Sequence, residues 1–96
     1  MKNIDERVRF AVECGTWFAD CNTQVAVDKK ANWWKLVLHG HEIANGHYDD
    51  WGRKVIDHAT FAGHYTNVTI RRLNAIGVDT RELARKEKVG RYGRDG

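Results

Sequence analysis

The sequence predicts a single α+β domain: an N-terminal helix, a four-stranded antiparallel meander and two short C-terminal helices. Three observations lead there. Apolar residues recur at helical spacing near the N-terminus, period-two patterning with polar or glycine turns fills the middle, and helical spacing returns behind capping residues after Gly63. Ninety-six residues make one domain. Residues 1–89 are read as that domain and 90–96 as a flexible Gly/Arg-rich tail.

The first element is read as a helix over residues 4–21. Ile4, Val8, Ala11, Val12, Gly15, Phe18 and Cys21 follow an i, i+4, i+7 rhythm. Asn3 is a candidate N-cap, and Asp5 and Glu6 sit in the first turn, where the helix dipole favours negative charge. Val8, Phe10, Val12 and Cys14 also alternate as a strand would, but the longer rhythm persists for about five turns. Gly15 opposes the helix by roughly 1 kcal/mol relative to alanine.

From Asn22 the period changes to two. Gln24–Asp28 is short and valine-rich, Lys29–Asn32 is turn-like, and Trp33–Leu38 favours a strand. His39-Gly40-His41 is a tight reversal. A central pair Gly40-His41 would set Leu38 opposite Ile43; a central pair His39-Gly40 would set Leu36 there. Both registers fit the pattern, and they bury opposite faces of the return strand, Glu42–Tyr48. Asp49-Asp50-Trp51-Gly52 is the next turn, and Arg53–Phe61 a further strand. Thr66 or Thr69 caps a helix through Ile70, Leu73 and Ile76, with Gly77 at its C-terminal end. Asp79-Thr80-Arg81-Glu82 resembles a capping box opening the last helix.

Charge is unevenly placed. Residues 1–70 carry eight basic and nine acidic side chains, and residues 71–96 carry eight and four, so the net +3 is concentrated at the C-terminal end. No apolar run approaches the length of a membrane span, and the first residues lack the apolar core of an export signal. Cys14 and Cys21, seven apart on the expected helix, would stand about 10–11 Å from each other, beyond the reach of a disulfide. Both are expected to be small core hydrophobes of a protein in a reducing cytosol.

Several segments resemble small proteins encoded by tailed bacteriophages. They are Asn22-Thr23-Gln24-Val25, Leu36-Val37-Leu38-His39-Gly40-His41-Glu42-Ile43-Ala44, Gly63-His64-Tyr65-Thr66-Asn67-Val68-Thr69 and Arg72-Leu73-Asn74-Ala75-Ile76. In that family a strand ends in Leu-His-Gly-Asn with Ile-Ala soon after, and Gly-Trp-x-Thr leads to Thr-Thr and Arg-Leu-Asn-Ala. The resemblance covers residues 22–77. His41, His64 and Val68 depart from it, and the first helix and the basic end lie outside it. It implies phage origin and residence in the host bacterial cytoplasm.

The chemistry-bearing residues point away from catalysis. The five histidines, His39, His41, His47, His58 and His64, show no Cys-x-x-Cys or His-x-x-x-His spacing, so they read as solvent-facing or hydrogen-bonded groups rather than zinc ligands. Asp49 and Asp50 fall in a turn, where aspartate bonds its own backbone. The chain has no serine, which excludes a Gly-x-Ser-x-Gly elbow. No enzymatic activity and no cofactor are expected.

Binding residues are easier to nominate. Four tryptophans are many for this length. Trp17 is expected in the core, Trp33 and Trp34 must face opposite sides of a strand, and Trp51 sits at a turn tip, either at an interface or folded back over the sheet. Arg81, Arg85 and Lys88 fall at i, i+4, i+7, and with Arg71, Arg72 and Arg91 they form a candidate surface for phosphates or an acidic partner. The opposing reading of that helix is a solvated face with intrahelical pairs such as Glu82–Lys86. The expected function is that of a non-enzymatic phage accessory protein. It binds a bacterial host protein complex and inhibits host defence, in the manner of an anti-CRISPR, or transcription. The alternative is a DNA- or RNA-binding protein using the basic C-terminal helices.

Overall fold

The structure is a computed structural model and describes residues 3–88. Eight elements follow in chain order: α1 (Ile4–Cys14), β1 (Phe18–Asp20), β2 (Thr23–Asp28), β3 (Trp33–Leu38), β4 (His41–Tyr48), β5 (Lys54–Ala59), α2 (Asn67–Ala75) and α3 (Thr80–Glu87). The α+β class and the order of elements are those the sequence predicts, with one strand more.

The extra strand comes from the first helix ending early. Asn3 caps α1 as expected, its Oδ1 accepting the Glu6 N–H at 2.9 Å. Gly15 then adopts φ 71° and ψ 44°, a left-handed conformation that closes the helix by donating to the Ala11 carbonyl. The helix therefore stops at residue 14 rather than 21. Phe18 continued the helical rhythm only because it faces the core from β1, opposite Val25.

The sheet is an antiparallel meander in the order β1-β2-β3-β4-β5. His39 and Gly40 form the β3–β4 turn with φ 54° and 81°, so Leu38 pairs with His41. Leu36 nevertheless meets Ala44 and not Ile43, because Ile43 is an additional residue in β4. This bulge lets consecutive residues Ile43 and Ala44 both be buried, which a regular pleat forbids. A second irregularity leaves Asp57 outside the strand register between His58, opposite Asn45, and Ile56, opposite Gly46.

One face of the sheet carries the helices. Val25, Val27, Trp34, Leu36 and Leu38 pack with Val8, Ala11 and Val12 of α1, Leu73 of α2, Ile76 beyond it, and Leu83 and Ala84 of α3. The opposite face carries Trp33, Lys35, Glu42 and Asn45. There Lys35 lies 3.9 Å from Glu42 and 5.1 Å from the Trp33 ring, and Asn45 donates to Glu42 at 2.6 Å. The two adjacent tryptophans divide as the pleat requires, with Trp34 fully buried. The C-terminal helices start as predicted: Thr66 accepts the Thr69 N–H at 3.3 Å, and Asp79 accepts those of Arg81 and Glu82 at 3.1 and 3.2 Å. Gly77, at φ 96°, follows α2.

Trp34 is the largest fully buried side chain, and it fits only because its cross-strand partner is Gly46. Its indole Nε1 is buried with no hydrogen-bond partner among the described residues, which carries a desolvation cost. A methyl group on Gly46 would fall 1.8 Å from the Val55 carbonyl oxygen and 2.8 Å from Trp34 Cζ2. Backbone cannot yield as a flexible side chain can. Gly46→Ala is therefore expected to lower the unfolding free energy by about 3 kcal/mol, read from the urea midpoint. A loss under about 0.5 kcal/mol, the range of an uneventful surface change, would contradict this packing.

Candidate functional site

The α1 C-terminus, the β2–β3 turn and the β4–β5 turn meet at one end of the sheet. Tyr48 ties them together. Its hydroxyl donates to the Val12 carbonyl at 2.7 Å, its N–H donates to Asn32 Oδ1 at 3.0 Å, and its carbonyl accepts Asn32 Nδ2 at 3.1 Å. Burial, with a smaller contribution from Cys14, raises the Tyr48 phenol above its ordinary pKa, so it remains a donor to Val12. Lys29 lies over Gly15: a methyl group there would be 2.5 Å from its Cε and 3.2 Å from its Nζ. The last turn of α1 has no basic side chain of its own, so Lys29 supplies the positive charge its dipole favours. A cleft of about 200 Å³ lies between these elements, with Lys29, Tyr48 and Gly52 in its lining.

Trp51 stands at this end and is 78% exposed; it does not fold back over the sheet. Its turn is rigidly built. Asp49 Oδ1 accepts the N–H groups of Trp51 and Arg53, both at 2.9 Å, and Oδ2 accepts Arg53 Nε at 3.3 Å. The backbone closes the same loop, Asp49 N–H to Arg53 carbonyl and Gly52 N–H to Asp49 carbonyl, both at 2.9 Å. The Arg53 guanidinium carbon is 5.1 Å from the Trp51 ring centroid. Trp17, just beyond the Gly15 cap, is 69% exposed, and not in the core as its helical placement implied. This end thus offers a preorganised aromatic and a cation, a combination suited to binding.

The basic residues divide differently from the expectation. Arg72 is 6% exposed and cannot serve as a phosphate contact. Its Nη1 lies 2.5 Å from Asp5 Oδ1, and its Nε donates to Thr23 Oγ1 at 3.2 Å. Arg71 has an exposed side chain, but its Nε meets the other oxygen of Asp5 at 3.4 Å. A buried guanidinium must be paired, and the N-terminal helix supplies the partner. Arg81, Arg85 and Lys88 are exposed, as the stripe required. Arg85, rather than Lys86, takes Glu82 at 2.6 Å. Lys88 is the left-handed C-cap of α3, so the regular stripe ends before it. Arg91 lies outside the described residues, as does the tail 90–96.

Cys14 and Cys21 are exposed, not buried. Loss of the helical turn after Gly15 puts Cys21 in the β1–β2 reversal at φ 51°, where a hydrogen bond with Asp20 and its negative charge raise the thiol pKa. His39 bonds Asn22 at 3.2 Å and His47 bonds Asp57 at 2.9 Å. The rings of His41 and His64 are 4.9 Å apart. Among the described residues no three His, Cys, Asp or Glu side chains gather as a metal site, and no helix is long and apolar enough to cross a membrane. The exposed Trp17 was missed, and Gly15, read as a helix terminator, was the signal that could have found it.

This is a small α+β chain whose surface chemistry suits contact, and comparison with known families identifies it as a phage protein. It belongs to the Kyanoviridae Gp96 protein family, whose family model matches residues 1–91. The match takes in α1 and α3, which the resemblance over residues 22–77 left out. No curated protein and no solved structure matches the chain.

The Asp49 contacts give a pH prediction. The backbone N–H of Arg53, above all, holds the Asp49 carboxyl below its ordinary pKa; burial opposes it, and the Trp51 N–H and the Arg53 charge add to the lowering. A depressed folded pKa means that these contacts are at full strength above the ordinary aspartate range and are lost as pH falls through the folded value. In an NMR titration, Asp49 should titrate at lower pH than in an unfolded peptide spanning residues 47–54. The Trp51 and Arg53 amides should move with the same midpoint. An Asp49 midpoint equal to that of the peptide would contradict the turn geometry.

Proposed function

We propose that this phage protein is a non-enzymatic accessory factor that binds a bacterial host protein complex in the host cytoplasm, with the Trp51 turn as its principal contact. The reading rests on a nearly fully exposed tryptophan, beside an arginine, on a turn prearranged by Asp49. Tryptophan and arginine are the residues most enriched among interface hot spots. A fixed turn gives up little conformational freedom on docking, so most of the burial energy appears as affinity. Burying such a ring is worth about 3 kcal/mol, or roughly a hundredfold in Kd. Inhibition of a defence machine, in the manner of an anti-CRISPR, or of the transcription machinery is the concrete form of this function.

A second reading has one observation in its favour. Arg81, Lys86 and Lys88 are exposed and form no ion pair among the described residues, so α3 retains a basic face that could track phosphates. With Arg71 and Arg72 committed to Asp5, that face is smaller than the charge count suggested.

One experiment separates the two. The tagged protein is used to capture material from infected-host lysate, with and without nuclease, alongside Trp51→Ala. The binding reading expects a nuclease-resistant host complex whose capture falls about a hundredfold with Trp51→Ala. Nuclease-sensitive capture that is unchanged by Trp51→Ala and lost on neutralising Arg81, Lys86 and Lys88 would replace it with the nucleic-acid reading. Equal capture of the same nuclease-resistant complex by both forms would remove Trp51 from the account.

A further inference from the structure

At the opposite end of the sheet a second cavity, of about 370 Å³, opens between the β3–β4 hairpin and the start of α2. That volume lies in the range of small-molecule sites. Its apolar lining is Leu38, Ile43, Phe61 and Val68; its polar lining is His39, His41, His64, Thr66 and Thr69.

The wall is prearranged. Phe61 is fully buried, and its N–H donates to Glu87 Oε1 at 3.1 Å. The segment after it is locked by the His64 N–H to the Phe61 carbonyl at 2.8 Å and the Thr66 N–H to the His64 carbonyl at 2.9 Å. Asn22 fixes His39 from a neighbouring turn, and His41 and His64 lean on each other at 40° between ring planes.

The ionisable side chains in this cavity are of one kind. Among the described residues no carboxylate lines it, and Glu87 is engaged with the Phe61 backbone N–H. Every ionisable group in the lining is an imidazole. The α2 N-terminus also faces it through Thr66, Val68 and Thr69, and the first turn of α2 carries no acidic residue. Of the first N–H groups of α2, those of Thr69 and Ile70 are taken by Thr66. Those of Asn67 and Val68 have no partner among the described residues. Val68, which lines the cavity, brings one of these backbone donors to it, and with the imidazoles of His41 and His64 over an apolar floor it makes a receptor for a negative head on an apolar body.

We propose that this cavity binds a small apolar carboxylate, its ring or branched body on Ile43, Phe61 and Val68 and its carboxylate between the α2 N-terminus and the His41–His64 pair. The site is separate from the Trp51 turn and does not depend on the binding reading above.

The test is an NMR titration of the intact, isotope-labelled protein at pH 6 with benzoate and, separately, with its neutral counterpart benzyl alcohol. Benzoate should saturably shift the Asn67 and Val68 amides and the His41 and His64 rings, with benzyl alcohol at least about tenfold weaker. His64→Gln should weaken benzoate several-fold, and Val68→Trp, which fills the cavity, should abolish the shifts while leaving the spectrum of β2 and β3 intact. Equal binding of the two probes, shifts confined to α3, or benzoate binding unaffected by His64→Gln would overturn the proposal. The His64 variant decides the matter even if Val68→Trp fails to fold.

Discussion

A guanidinium taken out of water must find negative charge, and in this chain Arg72 finds it 67 residues away. Asp5 sits in the first turn of α1, where its charge also suits the helix dipole. One of its oxygens holds Arg72 and the other holds Arg71, while Arg72 reaches on to Thr23, a fully buried residue that opens β2. Thr23 in turn donates to Asn22 at 3.0 Å. Three elements remote in sequence are thereby held in one arrangement. Hydrophobic contact is indifferent to small rotations of a helix, whereas a paired buried charge is not. A pair of this kind contributes modest net stability compared with apolar residues of the same shape, yet losing one partner is severe. Its role is to select one docking of α1 and α2 on the sheet.

That selection places the two ends of the molecule. With α1 fixed at its start by Arg72, its Gly15 cap reaches Lys29 and the Tyr48 hydroxyl, and the turns that carry Trp17 and Trp51 gather there. With α2 fixed by the same residue, its N-terminus is set against the hairpin around His39 and Gly40. The clamp also reshapes the electrostatics. Arg71 and Arg72, counted as a free basic surface, are tied to Asp5, and among the described residues of the C-terminal segment the free basic side chains belong to α3 and its cap. A net charge summed over a segment says nothing about which charges have already been used.

Much of the fold was legible because its signals are local. Asn3, Thr66 and Asp79 cap the helices they precede, Gly77 follows α2, and β2 to β5 lie within a few residues of their expected bounds. The failures have physical causes that are not local. Phe18 prolonged a helical rhythm from a strand, since facing the core satisfies either period. The bulge at Ile43 was invisible because two adjacent apolar residues fit a regular strand in either register. Arg72 looked like a surface residue because nothing near it in sequence is acidic. At the candidate sites, the turn residues around Trp51 were readable as a turn, and Asp49 as the kind of residue that builds one. The gathering of His41, His64 and the α2 start depends on the sheet closing first.

The most direct test of this account is a double-mutant cycle on the clamp, measured as unfolding free energies of the parent, Asp5→Ala, Arg72→Met and the double variant. Each single change strands a buried partner, or removes a tie to Thr23, and should cost about 3 kcal/mol or more, with Asp5→Ala the worse. The double variant should be far more stable than the summed losses predict, by a coupling of about 2 kcal/mol or more. Additive losses, within about 0.5 kcal/mol, would mean that Asp5 and Arg72 do not act on each other and that the arrangement of α1 and α2 has another origin.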